Sequence, residues 1–179
     1  MVSLEDVKYF LNITDSSQDD FLRKLIDMTT ARINNLCKRN VSYSRIHEVI
    51  DGDGEKIFWL KNYPVEKVEY IKYREESGNF ENDLFGGEPL EDNVYLDQTS
   101  GKLILLNGFI LPYGSSNVMI KYYAGYAESA PDPVNELPFD LKWAALMMTA
   151  ESYLKSFQVA GSGNFSKRIG LERFDTLVK

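Results

Sequence analysis

The chain has 179 residues, 44% of them apolar and 13% aromatic, enough to build a core and too apolar for a disordered chain. No apolar run reaches the roughly 18–20 residues that a bilayer span needs, so no membrane partner is expected. The formal net charge of −7 argues against tight binding to nucleic acid, because phosphate contacts need Lys and Arg.

The first six residues lack the basic start and apolar stretch of a secretory signal, and folding in a cytoplasm is expected. Cys37 is the sole cysteine and His47 the sole histidine. A single thiol excludes an internal disulfide. One Cys and one His cannot make a structural zinc site, which takes about four such ligands. The pair reads as a buried thiol late in a helix and a histidine on a strand, rather than as catalytic partners.

In chain order, Ser3 followed by Asp6 reads as a helix N-cap with an acidic first turn, opening a helix over about residues 3–11. A loop follows over 12–17. A second helix over about 17–37 is predicted from Leu22, Leu25, Ile26, Thr29, Ile33 and Leu36 at helical spacing. Asp19 precedes Arg23, and Asp20 precedes Lys24, in the favourable acid-first order. From Tyr43 the period shortens to two. Residues 46–50 and 56–60 around Asp51-Gly52-Asp53-Gly54 predict a β-hairpin. Strands are predicted over 64–73, 94–97, 102–106 and 117–123, and residues 75–93 read as loop.

Pro138 suits the first turn of a third helix over about 139–157. That helix has Leu141, Ala145 and Met148 on one face and Trp143, Met147, Ala150, Leu154 and Phe157 on the other. A helix apolar on two faces is buried on more than one side, in the fold or against another subunit. The expectation is an α+β fold. It is a small helical bundle, two N-terminal helices plus one long C-terminal helix, with an antiparallel β region inserted over about 43–123. Residues 1–157 would be a single domain and 158–179 a flexible C-terminal arm.

Little here points to catalysis. Asp51, Asp53 and Glu55 alternate as Ca²⁺ ligands can, but an EF-hand needs a longer loop between helices, and a solvated turn is the better reading. Gly161-Ser162-Gly163-Asn164 lacks the Lys and Ser/Thr of a phosphate loop and reads as a hinge. Tyr63, Tyr70, Tyr73, Tyr122, Tyr123, Tyr126 and Trp59 suggest a base-stacking platform, yet no matching basic patch is evident along the segment. Core and interface packing is the favoured reading.

The charges are unevenly placed. Residues 1–39 carry six acids and six bases, and 75–97 carry eight acids and no base: Glu75, Glu76, Glu81, Asp83, Glu88, Glu91, Asp92 and Asp97. A carboxylate pair for hydrolysis would need a pocket, and charge runs are usually solvated. The acidic run suits a non-sticky DNA-facing lumen or a seam recognised by a basic partner. From Gln158 the chain turns mildly basic, with Lys167, Arg168, Arg173 and Lys179 against Glu172 and Asp175.

Three blocks in order carry a family resemblance. The first runs Ser3-Leu4-Glu5-Asp6-Val7-Lys8-Tyr9-Phe10-Leu11-Asn12-Ile13, then Asp19 to Ile26, and ends Ala31-Arg32-Ile33-Asn34-Asn35-Leu36-Cys37. The second pairs Tyr63-Pro64-Val65-Glu66-Lys67-Val68 with Ile120-Lys121-Tyr122-Tyr123-Ala124-Gly125-Tyr126. The third is Pro138-Phe139-Asp140-Leu141-Lys142-Trp143-Ala144-Ala145-Leu146. Over roughly residues 1–157 the chain resembles the phage head–tail connector family, the head-completion or adaptor proteins of tailed bacteriophages and prophages.

The resemblance implies a ring of copies, usually twelve-fold, docked under the portal protein of the filled capsid. Such a ring extends the DNA channel and offers a platform to a stopper or tail-completion protein, while DNA passes without specific binding. It implies a place at the head–tail junction of the virion, after assembly in the host cytoplasm. It carries no catalytic residue, metal or cofactor, so the chain is not expected to be an enzyme. The residues expected to make contacts are Glu75, Glu76, Glu81 and Asp83 in the acidic run, Trp143 and Met147 on the last helix, and Phe165, Lys167, Arg168 and Arg173 in the arm. The alternative is a cytoplasmic binding module that captures a basic protein through residues 75–97. A metal-dependent hydrolase using the Asp/Glu cluster is a third class.

Overall fold

Ser3 starts the first helix as its residue type dictates. Its extended backbone lets its hydroxyl accept from the Asp6 amide at 3.0 Å, while the Asp6 carboxylate accepts from the Ser3 amide at 3.1 Å. This reciprocal cap opens α1 (Leu4–Leu11), and Asn12 closes it in the left-handed conformation. The computed structural model describes residues 2–75, 78–127 and 133–160, with backbone alone at 133 and 157–160. The expectations for Glu76 and for residues 161–179 lie outside the described residues.

The elements that follow are α2 (Asp19–Cys37), β1 (Ser44–Gly52), β2 (Ile57–Trp59), β3 (Val65–Tyr73), β4 (Asn82–Asp83) and α3 (Leu90–Asn93). After these come β5 (Val94–Asp97), β6 (Lys102–Leu105), β7 (Gly114–Ala124) and α4 (Phe139–Ala160). The architecture is α+β, and in chain order the strands of two antiparallel sheets follow the N-terminal helices and precede the long C-terminal one. By packing the chain divides into two compact units: a helical unit of residues 2–31 and 139 onward, and a β unit of residues 32–138.

In the helical unit, α1 packs on α4. Val7, Leu22, Leu25, Ala145, Ala150 and Tyr153 are buried. Thr29 and Thr149, also buried, join through their hydroxyls at 3.1 Å, and Thr149 donates to the Ala145 carbonyl at 2.8 Å. The Phe10 and Trp143 rings meet edge to face, 5.6 Å between centroids. The Lys142 ammonium lies 2.9 Å from the Asp6 carboxylate. Burial by itself raises the Asp6 pKa, but hydrogen bonds from Lys142 and Ser3 outweigh it and hold the carboxyl at about 2. The expected pairs along α2 are rearranged. Asp19 reaches Lys8 of α1 at 2.7 Å, and Asp20 takes Arg23 one turn on at 3.0 Å.

In the β unit, one sheet has the order β1-β7-β3-β4 and the other β2-β6-β5. Their inner faces share one apolar cluster, with Val65, Ile71, Val118, Ile120 and Tyr122 from the first sheet and Phe58, Leu103 and Leu105 from the second. Alternation explains the side each residue takes: β7 reads buried at 118, 120, 122 and 124 and half-buried at 119, 121 and 123.

The expected hairpin over 46–60 does not form. β1 pairs along its length with β7, from Ser44 opposite Ala124 to Ile50 opposite Val118, whereas β2 pairs with β6 in the other sheet. The Gly-rich turn carries the chain between sheets. The Gly52 amide donates to Asn117 Oδ1 at 2.8 Å, and the Gly54 amide to the Leu111 carbonyl at 3.1 Å. A Cβ at Gly52 would lie 1.7 Å from the Pro112 carbonyl oxygen, so the crossing needs glycine. The run 75–93 also holds more structure than a loop: β4 adds to the edge of β3, and α3 makes one turn before β5.

A polar layer lies against the four-stranded sheet. Glu48, on the core-facing side of β1, accepts from the Tyr122 hydroxyl and from the Lys61 amide at 3.1 Å. Asn62 donates to the Tyr122 oxygen through its amide group at 3.2 Å and accepts from the Asn40 backbone at 2.8 Å. Burial first, and the Glu48 carboxylate second, push the Tyr122 hydroxyl well above the usual tyrosine range. Cys37 is exposed, not buried. It is the last residue of α2, after which the chain turns at Lys38 (φ 54°).

Candidate functional site

The outward side of the four-stranded sheet is assembled from three strands whose alternate residues share one face. Register sets three rows across β1, β7 and β3: Arg45–Tyr123–Lys67, His47–Lys121–Tyr70 and Val49–Met119–Lys72. Arg45 grips Glu69 with two nitrogens, at 2.8 and 3.0 Å, and Lys121 approaches the same carboxylate at 3.5 Å. Burial works to raise the Glu69 pKa, but the Arg45 hydrogen bonds and the two nearby cations win, and it is lowered. Tyr43 stacks on Tyr123 at 6.0 Å and donates its hydroxyl to Glu66. Burial and that carboxylate push the Tyr43 hydroxyl up to about 12.

The remaining cations of this face lie on aromatic rings. Lys67 is 5.2 Å from the Tyr123 centroid, Lys72 is 5.2 Å from Tyr70, and Lys121 is 5.3 Å from Tyr70. Four cations face two carboxylates, so this surface is positive on an acidic chain. No basic patch was expected from the sequence. It escapes any single window because its residues come from strands that are far apart in the chain, and the outward phase of each strand was the available signal.

Beyond β3 the sign reverses. Glu81, Asp83, Glu88, Glu91 and Asp92 follow one another from β4 through two tight turns into α3, and all are exposed. Asp83 also accepts from the Phe85 amide at 2.8 Å. Among the described residues none of the five is in an ion pair. Asp97 is absorbed locally, bonding Ser100 and Thr99, which lowers its pKa. Glu75 lines a cleft of about 700 Å³ shared with Tyr73, Arg74 and Tyr113.

Other surfaces carry different chemistry. On α4, Phe139, Trp143 and Met147 form a stripe at one-turn spacing that is exposed by 76%, 47% and 39%. Trp143 and Met147 belong to the second apolar face expected of this helix, whereas Ala150 of that face is buried. Trp143 and Met147 belong to the helical unit, and Glu75, Glu81 and Asp83 to the β unit. Glu76, Phe165, Lys167, Arg168 and Arg173 lie outside the described residues. Near the end of α2, a cleft of about 520 Å³ is lined by Lys38, Arg39 and Lys61 among asparagines, and Arg39 stacks on Tyr63 at 3.7 Å. Its cations complement the carbonyl end of the helix.

Metal chemistry finds no cluster: among the described residues no three His, Cys, Asp or Glu side chains are placed to hold an ion. The Asp51 carboxylate is engaged by Ser115 and Ser116, and Asp53 by the Glu55 amide. No helix among the described residues is long and apolar enough to cross a membrane.

The face is charged and aromatic. A family model described as "Head completion protein" matches residues 1–162. The chain belongs to the head completion protein family. With the family goes a structural role in a phage-type head–tail connector. The fold is similar to chains in solved gene transfer agent particles. The neck of the empty particle, computed with C6 symmetry, matches with a TM-score of 0.64 and 17% identity over 91% of this chain and 80% of that one. The virion of the native particle matches at 0.61 and 18%, over 85% and 77%. The neck of the native particle, computed with C12 symmetry, matches at 0.57 and 20%, over 90% and 79%. No curated protein sequence matches.

Proposed function

We propose that this head completion protein is a ring-forming, non-enzymatic subunit of the head–tail junction. It docks on the portal, extends the DNA channel and carries the stopper or tail-completion protein. The observation that carries the proposal is the family match over residues 1–162. Similarity in fold to neck chains solved with six-fold and twelve-fold symmetry supports a ring. A ring uses head-to-tail contacts, so two different patches of one chain must match. The connector domain extends through the end of α4 at Ala160, and the arm follows it.

In this reading Trp143 and Met147 present an apolar stripe to a neighbour or to the portal. Phe165, Lys167, Arg168 and Arg173 anchor the arm, and Glu75, Glu76, Glu81 and Asp83 lie at a seam. DNA passes through without specific binding, which the surplus of acids favours.

The test is recovery of the tagged chain from infected or induced cells that contain assembled heads, followed by electron cryomicroscopy of what co-purifies. The expected result is DNA-filled heads with a ring of this chain beneath the portal vertex. Recovery of a basic host protein alone, from a lysate shown to contain heads, overturns the connector reading and brings forward a binding module acting through residues 75–97.

A further inference from the structure

We propose that the outward face of β1, β7 and β3 is one half of the seam between neighbouring subunits, and that the acidic edge Glu81–Asp92 of a second copy of this chain is the other half. The inference rests on the ring reading above and names the surfaces that build the ring.

The first argument is charge. Arg45, Lys67, Lys72 and Lys121 outnumber Glu66 and Glu69 on the sheet face, and five exposed carboxylates without ion pairs follow from β4 onward. The two surfaces adjoin, because Asp83 sits opposite Lys72 in the β3–β4 register. The sheet is therefore polar across its strands, positive from β1 to β3 and negative beyond. A two-fold contact through either patch would set like charge against like. Head-to-tail stacking sets opposite charges together at every joint, the arrangement a closed ring needs.

The second argument is preorganisation. Lys67 and Lys72 lie on Tyr123 and Tyr70, and Arg45 and Lys121 are both held by Glu69. Side chains already ordered lose less freedom on binding. Tyr70 and Tyr123 add flat amphipathic area of the kind enriched at interfaces.

A DNA backbone is the competing occupant. The carboxylates of Glu66 and Glu69 stand among the cations and would face phosphates, and the adjoining acidic edge would repel the duplex. A short acidic edge can meet Lys67 and Lys72 alone, where Glu66 is already paired with Lys67 at 3.6 Å, whereas a duplex would lie across the whole face.

The test uses the full chain in three charge-reversed forms: Lys67→Glu with Lys72→Glu, Glu81→Lys with Glu91→Lys, and all four together. Urea melts confirm that each folds. Copies bound per DNA-filled head are counted by quantitative mass spectrometry, alongside wild type. The expected result is assembly about tenfold weaker in each double variant and recovered in the quadruple one, with the wild-type interaction weakening as salt rises.

Double variants that assemble like wild type, or a quadruple variant no better than either double, overturn the seam while leaving the ring reading intact. Wild type that loads a single copy per head overturns the ring and the seam together. Loss of duplex binding by the Lys67→Glu, Lys72→Glu form with normal assembly assigns the face to DNA and also overturns the seam.

Discussion

The two outer faces of the β unit, borne by sheets that share one core, are chemically opposite. On the four-stranded sheet every outward row carries a cation, and the aromatic rings there are covered by ammonium or guanidinium groups. On the three-stranded sheet the outward row Ile57–Ile104–Tyr95 is apolar, and Trp59 beside it is 62% exposed, with one cation, Lys102, 5.9 Å above its ring. Stability and recognition are thereby separated. The inner faces hold the unit together, and the outer faces are free to differ according to what each must meet.

The inner faces should answer alike. Ile120→Ala in the four-stranded sheet and Leu103→Ala in the three-stranded one each remove a fully buried aliphatic side chain. Each should cost about 3 kcal/mol in urea unfolding. Unfolding transitions that fail to coincide when followed by different probes would mean that the sheets do not share one cooperative core.

The polar layer belongs to the four-stranded sheet alone. Tyr122→Phe leaves Glu48 without its hydroxyl donor and Asn62 without its acceptor, at an expected cost of about 1–2 kcal/mol in the same measurement.

A carboxylate of the helical unit calibrates these values. Asp6 is held down to about 2 in the fold, so its contribution is present above the ordinary carboxylate range and lost as pH falls through that range towards 2. Asp6→Asn should cost about 1 kcal/mol at pH 7, after allowance for solvent screening of a partly exposed pair. It should flatten the acid limb of the stability curve.

Tyr43 works in the opposite direction. Its raised pKa gives stability that is present below pH 10 and lost as pH rises from 10 to about 12. Tyr43→Phe should therefore shrink the fall in urea midpoint between pH 9 and pH 11. Smallest of all, Trp59→Ala should change stability by no more than about 0.5 kcal/mol, because most of the ring is already in water. A larger loss would mean that the apolar face is part of the core.

Local signals were read well where local chemistry decides. The Ser3–Asp6 cap and the apolar spacing of α2 and α4 placed three helices to within about three residues, because helices satisfy their backbone within one segment. The hairpin was misread because strand pairing is a choice among distant segments. β1 and β2 adjoin in sequence, yet each has a better partner more than forty residues away. Cys37 was misread because type predicts average burial, and the end of a particular helix need not be covered.

The sequence by itself determined the α+β class, the order of the three longer helices and of every strand but β4, the acidic run and, through three ordered blocks, the head completion family. Tertiary structure alone decided which strands pair and which side chains share a face. It thereby assembled Arg45, Lys67, Lys72 and Lys121 from three strands into one positive surface beside an acidic edge. The physical reason is that alternation says only that a residue lies on one side of its strand. Register between strands, set by burial of the common core, says which outward residues become neighbours.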